Sequence, residues 1–301
     1  MSLILPSIRH LFSLLLLSAA FFAGTAQATP NTADIKAIRY PAWIEQNGQK
    51  TPLAPGMSIR AADQVVSGDD ARVLFELPDG SEMKLGQLAR FSISKLTTSS
   101  VPGGINMDVG LSLLAGRFRY ATSAIAKLTS KRNVTLQLST ATIGIRGTDF
   151  WAMNDEEHEA ACLFEGKVEV TTAEQEIVPL DKPTAFWAHY FDKPPQPTGN
   201  ATAEQLAQFL GWVEIAPGTG VAVQGGRWRL IVGAEKNAAD AQALGKALRD
   251  QGFPAIIVKS YGLHEIRINQ FATRADAEAQ LKKLQALSGL VGKDPKTILT
   301  R

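Results

Sequence analysis

The run Arg72-Val73-Leu74-Phe75-Glu76-Leu77-Pro78-Asp79-Gly80-Ser81-Glu82-Met83-Lys84-Leu85 decides how the first half of this chain folds. Val73, Phe75 and Leu77 alternate with Arg72, Leu74 and Glu76, and Met83 and Leu85 resume the alternation after Pro78-Asp79-Gly80-Ser81. Side chains on successive strand residues point to opposite faces, so this pattern reads as two half-buried strands joined by a turn. Phe91 and Ile93 repeat it. Further alternating stretches follow at 105–109, 111–120, 134–140, 142–145, 149–153, 160–164 and, after a Glu165-Gly166 turn, 167–171. Asn47-Gly48 is an earlier hairpin signal. No helix longer than about two turns is expected between 35 and 178. The expectation is an antiparallel all-β domain, as a sandwich, a roll or a short β-helix; periodicity does not choose among these.

Beyond it the period changes. Residues 192–199, Asp-Lys-Pro-Pro-Gln-Pro-Thr-Gly, read as an extended linker. Thr202 with Gln205 forms a capping box ahead of Leu206, Phe209, Leu210 and Val213, the apolar face of a connector helix. Trp228, Leu230 and Val232 then share one face of a strand, with Arg229 and Ile231 on the other. Asn237 caps a helix with Ala241, Leu244 and Leu248 inward, which ends at Gly252 before Pro254. Strands at 255–259 and 264–269 follow. Thr273 and Asp276 start a second helix that buries Ala277, Leu281 and Leu284, and 297–300 supply a last strand.

The order βαββαβ is supported by an internal repeat. A shift of 36 places Leu230 on Ile266, Val232 on Ile268, cap Asn237 on cap Thr273, and Leu248 on Leu284. Two matching βα units predict an α+β domain of ferredoxin or RNP type, a four-stranded sheet with both helices on one face. The open face is expected to show Arg229, Ile231, Lys259, Glu265, Arg267 and Asn269.

The N-terminus carries one charge, Arg9, in its first ten residues, then an uncharged run over 11–24, then Ala26-Gln27-Ala28. Basic region, short apolar core and small residues two apart are the parts of a secretory signal peptide, with cleavage expected after Ala28. A lipoprotein needs a Cys at the cleavage point, and the single Cys is Cys162, in an apolar-flanked run that suggests a buried thiol. The expected organisation is 1–28 signal peptide, 29–191 β domain, 192–226 linker and connector helix, and 227–301 C-terminal domain, in a periplasmic protein.

The 301 residues are 45% apolar and 20% charged, a globular composition with length for about two domains. One Cys rules out an intramolecular disulfide, and four His weaken the case for a zinc enzyme. The overall charge of +2 hides an asymmetry: 227–301 hold 13 Lys and Arg against seven Asp and Glu, whereas 29–226 hold 17 against 22.

Two resemblances sharpen this. Gln64-Val65-Val66-Ser67-Gly68, Leu77-Pro78-Asp79-Gly80-Ser81 with Leu85-Gly86, Leu113-Leu114-Ala115-Gly116, Ile143-Gly144-Ile145-Arg146-Gly147-Thr148-Asp149-Phe150 and Leu163-Phe164-Glu165-Gly166-Lys167-Val168 together resemble the FecR domain of bacterial envelope proteins. In the family's best-known members this domain receives a signal from an outer-membrane transporter and passes it through a membrane helix to a sigma-factor regulator. No stretch after residue 28 has the roughly 20 apolar residues such a helix needs. Leu230-Ile231-Val232-Gly233-Ala234, the helix from Ala239 to Leu248, Ile266-Arg267-Ile268-Asn269-Gln270-Phe271 and Arg274-Ala275-Asp276-Ala277 resemble the SPOR domain, a peptidoglycan-binding module known for recognising glycan strands stripped of stem peptides. Ile231 stands where many members have Gln, and Asn269 where many have Gly.

The resemblance implies a glycan site at Arg229, Ile231, Lys259, Tyr261, Arg267 and Asn269. The polar members are hydrogen-bond donors for hydroxyl and acetamido oxygens, and Tyr261 or Trp228 is an apolar plate for a sugar face. In the β domain, Arg146 is expected to bond Asp149 or a nearby carbonyl and lock a corner, with partner binding by Arg146 and Asp149 as the weaker alternative. RNA binding is disfavoured because no strand carries an aromatic pair for stacking. Asp155-Glu156-Glu157-His158-Glu159 is the one clustered metal-ligand candidate, and it reads as a charged hairpin tip. His189 and His264 lack a neighbouring nucleophile or paired carboxylates.

The expectation is thus a non-catalytic envelope protein without cofactor. Its SPOR-like domain holds peptidoglycan, at the septum if the chain serves division, while its FecR-like domain binds or senses a second envelope component. The alternative is a FecR-type signalling regulator of a membrane receptor or anti-sigma pathway, with the SPOR-like domain only localising it. An envelope hydrolase is the third reading.

Overall fold

The computed structural model of the chain describes residues 31–129 and 131–300, so the expected signal peptide lies outside the described residues. The first strands are β1 (Ala33–Arg39), β2 (Ala42–Gln46), β3 (Gln49–Pro52), β4 (Ser58–Ile59), β5 (Gln64–Ser67), β6 (Arg72–Glu76), β7 (Glu82–Leu85), β8 (Arg90–Val101) and β9 (Gly104–Ala121). The opening hairpin is β6 and β7, paired Val73 to Leu85 and Phe75 to Met83, as the alternation predicts. After β9 come α1 (Ala124–Thr129), β10 (Arg132–Gln137), β11 (Thr142–Asn154), β12 (His158–Thr171), β13 (Ile177–Leu180), β14 (Ala185–Tyr190) and β15 (Gly199–Asn200).

These strands form two layers that share β9, β11 and β12. One layer runs β3, β2, β5, β8, the first half of β9, β10, the start of β11, the end of β12, and β13. The other runs β4, β1, β6, β7, the second half of β9, the end of β11, the start of β12, β14 and β15. The stretches read separately as 142–145 and 149–153, and as 160–164 and 167–171, are single bent strands. The apparent turns are bends that carry each strand from layer to layer. Gly147 and Gly166 make the bend possible, both at positive φ; a Cβ on Gly166 would lie 2.7 Å from the Gly147 carbonyl.

One pairing departs from the antiparallel expectation. β10 runs parallel to β9, Arg132 opposite Met107 through Gln137 opposite Ser112. A parallel neighbour needs a crossover, and the segment containing α1 supplies it. Between the layers, Phe75, Phe91, Phe118 and Phe150 form a chain of rings 5.4 to 6.2 Å apart.

The rest of the chain contains α2 (Ala203–Val213), β16 (Val221–Val223), β17 (Trp228–Glu235), α3 (Ala238–Asp250), β18 (Ile256–Ser260), β19 (Leu263–Phe271), α4 (Arg274–Gln285) and β20 (Lys296–Leu299). Thr202, Asn237 and Thr273 cap the three helices as the sequence predicts, each accepting from a first-turn backbone N–H. The C-terminal sheet has the antiparallel order β20-β17-β19-β18. Leu230, Ile266 and Ile268 on one face join Ala241 and Leu248 of α3 and Ala277 and Leu284 of α4 in the core.

From Gly199 onward, the segment between the halves is fastened to them. β15 pairs with β14. Phe209 of α2 stacks on Trp151 with centroids 4.1 Å apart, and Trp212 lies 5.7 Å from the same ring. The motif glycine Gly86 admits this helix: a Cβ there would meet the Trp212 carbonyl at 2.7 Å. β16 pairs antiparallel with β1 and meets β19 at Ala222 and Phe271, so backbone pairing runs from one half into the other. Buried Tyr40 meets Phe253 and Phe271 edge-on, and one apolar core extends through both halves.

Candidate functional site

The outer face of the C-terminal sheet is set by cross-strand register. Arg229 of β17 lies opposite Ile298 of β20, and Ile231 opposite both Lys296 of β20 and Arg267 of β19. The Arg229 Nε donates to Asn269 Oδ1 at 3.0 Å. Arg267 is held by Glu265, with Nη2 at 2.6 Å and Nε at 2.8 Å from one carboxylate oxygen. Partial burial and the neighbouring Arg267 lower the pKa of Arg229, while Glu265 opposes that shift. Two guanidiniums and one amide thus share this face with a single neutralising carboxylate.

The other expected residues sit elsewhere. Ile231 is only 1% exposed and forms a floor between the polar groups, without a free surface. Lys259 pairs with His264, whereas Ile256 pairs with Arg267; this parity puts Lys259 on the side of Ile257, which faces α3 at Gly245. Its placement on the open face is therefore corrected. Tyr261 occupies the β18–β19 turn, fully exposed at φ 48° with Gly262 at 78°, at the sheet's end and off its face. Trp228 is half-buried against the core opposite Phe271.

Sequence reasoning missed a contribution from the other half. A cavity of about 410 Å³ opens where Arg229, Asn269, Ile256, Pro254 and Thr300 meet Tyr40, Ala54 and Pro55 of the β domain. The face is therefore walled at one end by a loop some 175 residues away in sequence, a distance no local pattern bridges.

In the β domain the motif charges turn inward. Asp149 binds Arg119, not Arg146, with Nε at 2.9 Å and Nη2 at 2.6 Å. Arg119 also pairs with Glu214, at the C-terminal end of α2, and Glu214 in turn takes Lys84 at 2.7 Å. Hydrogen bonding to Asp149 raises the Arg119 pKa above its usual value. The register shift between Arg146 and Asp149 puts the two out of step and leaves Arg146 exposed. In the Pro-Asp-Gly-Ser turn, Asp79 accepts from Ser81 N–H at 2.9 Å and is buried 3.7 Å from the equally buried Arg132.

The Asp155–Glu159 stretch diverges. Asp155 accepts from the backbone N–H groups of Glu157 and His158, while Glu159 is buried and accepts from Thr140 N–H at 3.0 Å and from the Thr140 hydroxyl. Among the described residues no group of three His, Cys, Asp or Glu is arranged to hold a metal. His189, without a partner in sequence, meets Glu159 at 3.4 Å and Thr140 Oγ1 at 3.1 Å, both through Nδ1. A nucleophile triad puts the hydroxyl on one ring nitrogen and the acid on the other; here both crowd the same nitrogen, so the ring does not activate Thr140. Cys162 is fully buried, and burial pushes its thiol up to about 12. No described helix is long and apolar enough to cross a membrane.

No curated protein matches the chain. Two crystal structures from Parabacteroides distasonis ATCC 8503, described as an anti-sigma factor, are similar to it. The first has a TM-score of 0.39 and 15% identity over 49% of this chain, which spans 64% of that one and so falls short of two thirds of its length. The second has a TM-score of 0.40 and 14% identity over 79% of this chain and 98% of that one. The family profile described as "FecR protein" matches residues 63–169, and the profile described as "SPOR domain" matches 224–292. The chain carries a FecR domain followed by a C-terminal SPOR domain.

Proposed function

We propose that this is a non-catalytic protein of the periplasm, held on peptidoglycan through its SPOR domain while its FecR domain engages a second envelope component. The observation that carries the reading is the outer sheet face inside the SPOR match, where Arg229, Arg267 and Asn269 present hydrogen-bond donors over the Ile231 floor. Stripping the stem peptide by amide hydrolysis leaves a lactyl carboxylate beside the hydroxyl and acetamido oxygens of the glycan, and these acceptors suit a partly neutralised pair of guanidiniums. Tyr261, exposed at the end of the sheet, is reserved for the outer part of a longer strand.

Sedimentation of the full exported chain with purified sacculi tests this. Enrichment on amidase-treated over untreated sacculi is expected. Arg229→Ala with Asn269→Ala should weaken it about thirtyfold, since each removed hydrogen bond to a charged or polar partner is worth roughly 1 kcal/mol. Equal binding to both kinds of sacculi overturns the glycan reading.

The FecR match favours a second reading, in which the β domain grips a membrane-embedded signalling partner and the SPOR domain only localises it. Stoichiometric recovery of one membrane protein from envelope extracts, unaffected by the Arg229 and Asn269 substitutions, would favour it.

A further inference from the structure

Along one edge of β12 sit two different partners. Its first residues, from His158 to Cys162, pair with β14, and its last, from Val168 to Thr171, pair with β13. The bend between them directs β13 and β14 apart, and a cleft of about 540 Å³ lies between, lined by Ile177, Val178, Trp187, His189, Glu174 and Glu176 and closed on one side by Pro195–Thr198. β13 pairs only with β12 among the described residues, so its other edge carries unpaired backbone groups. Pro179 within it is compatible with such an edge.

The floor is built. Trp187 is nearly buried, and His189 stands two residues on, with Phe191 edge-on to its ring at 5.5 Å. Buried Glu159 and Thr140 hold Nδ1, which fixes the ring and leaves Nε2 with no partner among the described residues. The other charged groups lining the cleft are Glu174 and Glu176. The cleft therefore offers apolar and aromatic surface, one imidazole nitrogen, two carboxylates and a free strand edge, and no Lys or Arg.

We infer that this cleft binds an extended peptide segment of a partner protein, which adds a strand to β13, places an apolar side chain against Trp187, and sets basic side chains against Glu174 and Glu176. Strand addition supplies affinity through the backbone, and alternate side chains supply selection. The inference rests on the reading that the FecR domain engages a second envelope component, and it names the surface and the chemistry of that partner.

The probe is a capped hexapeptide of alternating Lys and Val, titrated into the full exported chain labelled with nitrogen-15, beside the same peptide with Glu for Lys. Saturable amide shifts confined to 172–179 and 186–198, together with a shift of the His189 ring, are expected for the Lys peptide alone. Glu174→Lys with Glu176→Lys, both at the exposed rim, should weaken it about tenfold while leaving the melting temperature and sacculus binding unchanged. Loss of sacculus binding elsewhere leaves this result intact, so the two readings fail separately. No saturable shift at about 1 mM peptide, equal binding of the Glu peptide, or shifts that map to the outer face of the C-terminal sheet each overturn the inference.

Discussion

The bend of the β domain and the outer face of the C-terminal sheet both carry motif residues with charge, and they use it in opposite ways. In the turn beside the bend, Asp79 is matched to Arg132 inside the structure, and at the bend Asp149 is matched to Arg119 half-buried. On the sheet, Arg267 is tied to the buried Glu265, whereas Arg229 is steadied only by the neutral amide of Asn269 and stays at the surface. A charged residue in a motif can hold a fold or address a ligand, and burial of its partner separates the two cases: a buried carboxylate neutralised by arginine has little left to offer outside.

The sharpest way to break this comparison is Asp79→Ala. It strands the Arg132 guanidinium in the interior, and loss of about 3–5 kcal/mol in urea unfolding is expected, the usual cost of breaking a buried pair from one side. A loss within about 0.5 kcal/mol, the level of an ordinary surface change, would place Asp79 with the sheet residues. Asp149→Ala should cost about 2 kcal/mol by removing charged hydrogen bonds to Arg119. Arg146→Ala and Arg229→Ala, both without a buried partner, should stay within about 0.5 kcal/mol. Reversal of that ranking would restore Arg146 as the lock of the corner.

A separate effect is set by pH. Burial pushes the Cys162 thiol up to about 12 from its ordinary 9.0, and the Tyr120 hydroxyl up to about 12 from 10.0. The folded chain keeps protons that the unfolded chain gives up from pH 9 upward, so the unfolded state binds fewer protons and stability falls as pH rises through that window. The slope expected from Cys162 alone between pH 9 and 10 approaches, at most, about 1.4 kcal/mol per pH unit. Cys162→Ala should flatten it, leaving the decline from the tyrosines to begin above pH 10. Denaturation curves at stepped pH measure both.

Much of the fold was legible because it is encoded locally. Alternation located β6, β7 and the start of β8, and the three cap residues located the three C-terminal helices. Bends were misread as turns because a glycine pair such as Gly147 and Gly166 looks the same in sequence whether a strand ends or changes layer. Lys259 was placed on the wrong face because parity within β18 depends on its register against β19. Among site residues, Arg229 and Asn269 meet as expected, whereas the partnership of His189 with Glu159 and Thr140 had no signal, its members lying 30 and 49 positions apart.

The two periodicities, the helix caps, the 36-residue repeat and the opposite charges of the two halves are readable from residue order alone. All of these follow from spacing or composition within one segment. Packing of distant segments makes Asp149 serve Arg119, brings Ala54 and Pro55 to wall the sheet face, and leaves a cleft between β13 and β14. Those outcomes hang on strand register and on bends, where a shift of one residue exchanges the two faces of a strand.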